Sequence, residues 1–162
     1  MPLSAVAASK MRIASAVGAV LTALAALGVR QPPDGKDVYA TTCAACHQPT
    51  GAGLAEQYPP LAESDWVTGD EERLIRIVLH GLTGDIEVAG EPFSGAMPAW
   101  GPTLNDAQIA AVLTYVRSAW GNKAPAVSVA SVKRVRQATA SRTSPWTARE
   151  LVAVRPPPAG RP

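Results

Sequence analysis

The only two cysteines of this 162-residue chain stand three positions apart and are followed at once by a histidine, in Cys43-Ala44-Ala45-Cys46-His47. On a helix, positions i, i+3 and i+4 lie on one face. The two thiols can therefore form thioethers with two vinyl groups on one haem edge, while the imidazole of His47 binds the iron. Because Cys-x-x-Cys-His is the signature of c-type haem attachment, we predict one covalently bound haem c.

Three other uses of these residues are alternatives to haem attachment. A thioredoxin-like thiol pair is expected beside a βαβ pattern, which this sequence lacks. A zinc site that combines these three side chains with His80 remains an alternative, although adjacent cysteine and histidine ligands fit the usual tetrahedral spacing poorly. A disulfide between Cys43 and Cys46 would close a loop too short to stabilise the fold much.

Met97 is the predicted second axial ligand of the iron. The other two methionines lie within the first eleven residues, and Met97 sits in a Gly- and Pro-rich segment, residues 94–102, which predicts a loop. A methionine usually fills apolar core, but no helix precedes Met97 to bury it, and haem iron needs a second partner. We therefore predict His47 and Met97 as the iron ligands, with His80 as the rival for the second position.

The N-terminal residues carry the features of a secretory signal. Lys10 and Arg12 precede the uncharged residues 13–29, and the two alanines of Ala23-Leu24-Ala25 offer a cleavage site. The uncharged run is also at the short limit for a membrane span. We predict export to the periplasm, with residues 1–33 acting as a cleaved signal peptide and linker or, alternatively, as an inner-membrane anchor.

Charge is strongly segregated along the chain. Residues 34–122 hold four basic and twelve acidic residues, a net charge of −8, whereas residues 123–162 hold eight basic and one acidic residue, a net charge of +7. We therefore predict a haem domain over residues 34–122 followed by a basic C-terminal extension. A tail after an exported haem domain is a poor nucleic-acid ligand, so we expect no nucleic-acid partner, and the opposed charges predict pairing of the tail with the acidic domain or with an acidic partner.

Capping residues and apolar periodicity predict three helices in the acidic part of the chain. No strand pattern is strong enough for a sheet, since the alternating run at residues 85–88 is too short for more than a small extended piece. We therefore predict an all-α fold around the haem. The first helix is predicted over residues 35–45, capped by Asp34, and the second over residues 71–80, capped by Asp70. The third begins at a capping box of Asn105 and Gln108 and ends at Gly121.

Two further short helices are predicted in the basic extension. Three valines recur at every third position over residues 129–135. Thr147 and Glu150 form a second capping box, and the flanking Trp146 and Leu151 can pack across it. These signals predict a docking element that folds on the acidic domain or on a partner protein. A disordered, solvated tail is the alternative that the composition suggests.

Over residues 34–122 these features resemble the mono-haem class I cytochrome c family. The resemblance is carried by the haem motif, by Met97-Pro98 downstream of it, and by the closing segment Leu113-Thr114-Tyr115-Val116-Arg117. In that family the first and last helices cross, which implies that Gly35 and Tyr39 contact the region of Tyr115.

The resemblance also implies roles for residues around the iron ligands. The segment Pro59-Pro60-Leu61 is similar to the family's Pro-x-Leu element, which implies that the Pro59 carbonyl accepts a hydrogen bond from Nδ1 of His47. A separate expectation rests on the low polarity near Met97: Trp100, two positions past Pro98, is expected to pack against the haem and limit the access of water.

A His/Met ligand pair predicts electron transfer rather than catalysis, because it raises the reduction potential and leaves no open iron position for a substrate. Residues 58–120 resemble the cytochrome domains that accompany bacterial periplasmic dehydrogenases and oxidases. The resemblance implies a redox protein partner in a respiratory chain: a dehydrogenase that gives electrons, or an oxidase or reductase that takes them. A haem enzyme or gas sensor with an open sixth position, and a zinc interaction module, stay as alternatives.

Overall fold

The computed structural model describes residues 31–153, and residues 33–153 belong to one compact unit. The predicted signal peptide or anchor lies mainly outside this range, and so does the end of the basic extension. Within residues 31–153 no helix is long and apolar enough to cross a membrane. The elements are α1 (Gly35–Thr42), α2 (Ala44–His47), α3 (Asp65–Thr68), α4 (Glu71–His80), β1 (Leu82–Val88), β2 (Glu91–Met97), α5 (Asp106–Ser118), α6 (Val129–Ala138) and α7 (Ala148–Ala153).

The first and last helices of the acidic part cross at a glycine. A Cβ on Gly35 would stand 2.1 Å from the carbonyl oxygen of Ala111, so only glycine allows this approach of α1 to α5. One turn further along α1, the ring of Tyr39 lies 5.6 Å from that of Tyr115 and 4.9 Å from that of Trp120, measured between centroids. The implied contact between the two helices is therefore confirmed.

The main core combines residues from the acidic part with residues from the basic extension. Ile75 of α4 and Ile109 of α5 are fully buried, and so is Val132 of α6. Val127 and Val135 join the same cluster. A second, smaller cluster contains Ile77, Trp146 and Leu151. Most residues of the main cluster recur at three- and four-residue spacing along their helices, which is why local periodicity predicts these helices correctly.

The all-α prediction is not confirmed, because β1 and β2 form an antiparallel hairpin in which Leu82 faces Met97 and Ile86 faces Phe93. The turn between the strands is Ala89-Gly90, with φ of 53° and 81°. Positive φ at both central residues is the geometry that suits the twist of a two-residue hairpin. The second strand contains proline and three small residues without alternation, so its own sequence predicted a loop.

Two predicted helix boundaries differ from the structure. The first helix breaks at Cys43, where φ of −111° and ψ of −34° separate α1 from α2. The last helix of the acidic part ends at Ser118 rather than at Gly121, because Trp120 adopts φ of 52° and turns its ring onto Tyr39. The second difference arises from packing between distant parts of the chain.

The capping predictions are confirmed. The Asn105 side chain accepts a hydrogen bond from the Gln108 amide, at 3.0 Å, and the Gln108 side-chain oxygen accepts one from the Asn105 amide, at 3.1 Å. In the extension, Thr147 and Glu150 form the same reciprocal pair, at 2.8 and 3.3 Å. Asp34 and Asp70 cap α1 and α4, so each helix begins where its side-chain acceptor predicts.

Candidate haem site

The three residues of the haem motif lie at the junction of α1 and α2. Cys43 occupies the break between the helices, and Cys46 and His47 lie in the short α2. All three side chains are half-buried. Burial raises the pKa of the Cys43 thiol; the hydrogen bond with Thr42 opposes that rise, and the charge of Cys46 adds to it. The thiols therefore border the interior without being sealed from solvent.

The imidazole of His47 is held by a hydrogen bond between its Nδ1 and the carbonyl oxygen of Pro59, at 3.0 Å. A carbonyl can only accept, so Nδ1 carries the proton and Nε2 keeps its free electron pair. Burial lowers the pKa of His47, and the bond to the Pro59 carbonyl raises it in part. A neutral imidazole with a fixed tautomer is the form that binds a metal.

Met97 ends β2 and lies half-buried between the two apolar clusters. Its position is fixed by pairing with Leu82 and by Gly81, where a Cβ would stand 2.5 Å from the Met97 carbonyl oxygen. Gly81 has φ of 82°, a conformation that favours glycine. The sheet that the sequence did not predict is therefore the element that positions the predicted ligand.

His47 and Met97 line a single cleft, although they come from different elements. Two cavities of about 90 and 340 Å³ share part of their walls and form the inner and outer parts of this cleft. The larger volume alone falls in the range of about 300–1,000 Å³ that is usual for cofactor and ligand pockets. The residues that line both parts are Cys43, His47, Pro59, Leu82, Ile86, Met97 and Trp100.

The residues of the cleft fit a haem. Its inner part is lined mainly by apolar side chains, many of them from α4, α5 and the hairpin, with His47 and Ser64 as polar exceptions. The cleft also presents two thiols, one neutral imidazole and one thioether, which are the groups that attach and ligate a haem c. This combination suits a flat apolar macrocycle with an iron at its centre better than it suits a hydrated metal ion.

The zinc alternative does not find its ligand set. His80 lies outside the residues that line the cleft, and its Nε2 is 2.7 Å from the hydroxyl oxygen of Thr139. Within residues 31–153 no three His, Cys, Asp or Glu side chains are grouped so that they could hold a metal ion.

The profile of the family described as cytochrome C oxidase, cbb3-type, subunit III matches residues 30–116. The chain belongs to this cytochrome c family. The chain is 43% identical over 93 residues to cytochrome c-552 of Thermus thermophilus, an alignment that covers 55% of this chain and 70% of that protein. It is 38% identical over 105 residues to the cytochrome c subunit of the quinone alcohol dehydrogenase of Komagataeibacter europaeus, which covers 63% of this chain. It is also 42% identical over 100 residues to the gluconate 2-dehydrogenase cytochrome c subunit of Pantoea cypripedii, which covers 59% of this chain.

The match to the dehydrogenase subunits is confined to part of their length. The chain spans 22% of each of those two subunits. It also spans 29% of the cbb3-type oxidase subunit CcoP of Azospirillum, at 34% identity over 96 residues, or 55% of this chain. The similarity therefore supports a shared haem-binding fold.

The sequence did not reveal a second contact that holds the haem motif in place. The buried Tyr39 donates a hydrogen bond from its hydroxyl to the carbonyl of Gln48, at 2.5 Å. Gln48 directly follows His47 and adopts φ of 62°. Burial, with the nearby Cys43 and Tyr115, raises the pKa of Tyr39 well above its usual range, so the hydroxyl stays a donor. A carbonyl acceptor leaves no mark on the sequence, which is why this bond was not foreseen.

We expect Tyr39→Phe to lower the free energy of unfolding by about 1–2 kcal/mol, because the Gln48 carbonyl loses its donor while the ring packing is kept. Tyr58→Phe is the matched control, since the Tyr58 side chain is 37% exposed. It should change stability by less than about 0.5 kcal/mol. Urea unfolding of the two haem-loaded variants measures both values, and equal stabilities would show that the Tyr39 hydroxyl does not support the motif.

Proposed function

We propose that this cytochrome c domain transfers single electrons through one covalently bound haem. In this proposal Cys43 and Cys46 form the thioethers, and His47 and Met97 are the axial ligands of the iron. The observation that carries the proposal is the convergence of these four side chains on one apolar cleft. The matched family supports the haem-binding fold.

Each surrounding residue has a part in this function. A bound haem supplies a one-electron couple between ferric and ferrous iron. Pro59 holds His47 in the tautomer that leaves Nε2 free. Met97 presents a soft sulfur atom, which favours a high reduction potential. Trp100 lines both parts of the cleft and, in this proposal, packs on the haem and excludes water from it.

We propose a dehydrogenase as the electron donor and an oxidase or reductase as the acceptor. The relatives named as cytochrome subunits of alcohol and gluconate dehydrogenases support the donor, and the oxidase subunit CcoP supports the acceptor. The proposed role is that of a carrier with no catalysis of its own, because both iron positions would hold protein ligands.

The proposed location is the periplasm, reached through residues 1–33 as a signal peptide or through residues 13–29 as an inner-membrane anchor. The basic charges ahead of an uncharged run support this placement. The mass of the mature chain distinguishes the two forms. A mass that includes residues 11–29 supports the anchor, and a mass that lacks them supports cleavage.

Carbon monoxide binding to the reduced protein tests the electron-transfer proposal against the haem enzyme or gas sensor. If Met97 occupies the sixth position, carbon monoxide should leave the haem spectrum of the reduced protein almost unchanged within minutes at neutral pH. Rapid and complete conversion to the carbon monoxide form would instead establish an open position and favour the sensor or enzyme.

A further inference from the structure

The basic extension contacts the surroundings of Met97 at two separate places, the turn that follows Met97 and the strand that pairs with it. The first contact is made by Arg136 of α6, whose guanidinium is only 33% exposed. It donates hydrogen bonds to the carbonyl oxygens of Gly101 and Leu104, at 2.7 and 2.9 Å, and to a carboxylate oxygen of Asp106, at 2.7 Å. One side chain of the extension therefore satisfies three acceptors in the turn that follows the proposed ligand.

The second contact is made to the start of β1, the strand that pairs with Met97. The amide of Trp146 donates to the carbonyl of Gly81, at 3.0 Å, and its carbonyl accepts from the Thr83 amide, at 2.8 Å. Between these two positions, Leu82 pairs with Met97 in the hairpin register. Trp146 is itself 8% exposed and belongs to the small apolar cluster on which Met97 packs.

We propose that residues 128–151 form a strap that holds Met97 in place, with Arg136 and Trp146 as positioning residues. The inference rests on the proposed role of Met97 as an iron ligand. It concerns residues outside the 30–116 segment matched by the family profile. Neither positioning residue lines the cleft. Arg136 acts through the backbone that follows Met97, and Trp146 acts through β1, the strand that pairs with Met97.

The physical consequence concerns local opening. The segment that carries an iron ligand can open locally, and the free-energy cost of that opening is smaller than the cost of global unfolding. The cost of local opening determines how often an added ligand can reach the iron. Charge-assisted hydrogen bonds to backbone carbonyls are among the strongest in proteins. Removing those of Arg136 therefore raises the population of the open segment, and the apparent affinity for an added ligand rises with that population.

Imidazole is the probe for this opening, because it competes with Met97 for the iron of the oxidised protein. We expect Arg136→Ala to tighten the apparent imidazole dissociation constant by about fivefold or more, the lower end of measured coupling between sites. Loss of the weak long-wavelength sulfur-to-iron absorption reports the displacement. Arg136→Lys keeps the charge but loses the planar fork, so it should fall between the wild type and the alanine variant.

Two controls separate positioning from stability and from charge. Arg134→Ala makes the same charge change on the same helix, but Arg134 is 60% exposed and pairs with Glu72 rather than with the segment after Met97. Ile75→Ala opens a hole in the core at a fully buried site outside the strap. We expect neither to change the imidazole constant by more than about twofold, although Ile75→Ala should lower the unfolding midpoint in urea by more than Arg134→Ala.

Three results of these measurements would contradict the strap or the ligand role of Met97. If imidazole affinity follows the unfolding midpoint across all four variants, the extension acts only on global stability and the inference is wrong. If Arg136→Ala does not fold, Arg136→Lys alone decides, and an affinity equal to that of the wild type overturns the inference. A wild-type protein that has haem but lacks the sulfur-to-iron absorption would instead refute the ligand role of Met97 itself.

Discussion

Replacing Met97 by alanine is expected to lower the reduction potential by on the order of 0.1–0.3 V, within the roughly 0.8 V range over which axial ligands tune haem. The sulfur atom favours ferrous iron, and without it water or an added ligand takes the sixth position. The same variant should lose the sulfur-to-iron absorption and bind carbon monoxide rapidly when reduced. Potentiometric titration followed at the haem absorption bands measures the shift.

The control for this variant is His80→Ala. His80 is bonded to Thr139 and stacks edge-on against Trp146, with ring centroids 6.4 Å apart. We expect the sulfur-to-iron absorption to persist in His80→Ala and its potential to move by less than about 0.05 V, since no ligand type changes. If the effects are reversed between the two variants, His80 is the ligand and the assignment of Met97 is wrong.

The double variant Cys43→Ser with Cys46→Ser is expected to lose covalent haem completely. The apolar walls of the cleft would then lose the group that fills them, and the stability that a tightly bound group adds to the folded state would be lost with it. We expect a protein without haem absorption after denaturation and with an unfolding transition broadened or displaced to much lower urea. Haem staining of a denaturing gel, together with urea unfolding, measures the two effects.

The single variant Cys46→Ser serves as the control, because one thioether and both iron ligands remain. It should still hold haem under native conditions, at lower yield. Haem that stays attached to the double variant through a denaturing gel would show that the two cysteines are not the attachment points.

The helix starts of this chain could be predicted because capping is local. Asp34, Asp70 and Asn105 each accept a hydrogen bond from an amide two or three residues away, so a short window of sequence contains all the atoms involved. The capping box at Thr147 and Glu150 is equally local, and it was located within a basic segment whose composition alone would suggest a solvated tail.

The hairpin was missed for the opposite reason. The strand that ends at Met97 has little alternation of its own, and it forms because β1 lies beside it. The end of α5 differs from its predicted position for a similar reason, since the turn at Trp120 packs against the ring of Tyr39, which is distant in the sequence. Pairing and packing across many residues decide such features, and no local window contains them.

The candidate site residues could be identified from the sequence, whereas the hydrogen-bond partners that hold them in place could not. Thiol, imidazole and thioether side chains are rare enough in this chain for spacing and count to single them out. Their supports are backbone carbonyls: Gln48 accepts from Tyr39, and Gly101 accepts from Arg136. Every residue has a carbonyl, so only the folded chain can specify which one is used.

The visible absorption spectrum of the purified protein, oxidised and then reduced, tests the central claim most directly. The protein should be produced in a host that attaches haem to exported chains. The account predicts the sharp bands of a low-spin c-type haem after reduction, and the weak long-wavelength sulfur-to-iron absorption when oxidised. A colourless protein would contradict the haem assignment, and a high-spin oxidised spectrum without the sulfur-to-iron absorption would contradict His47 and Met97 as the ligand pair.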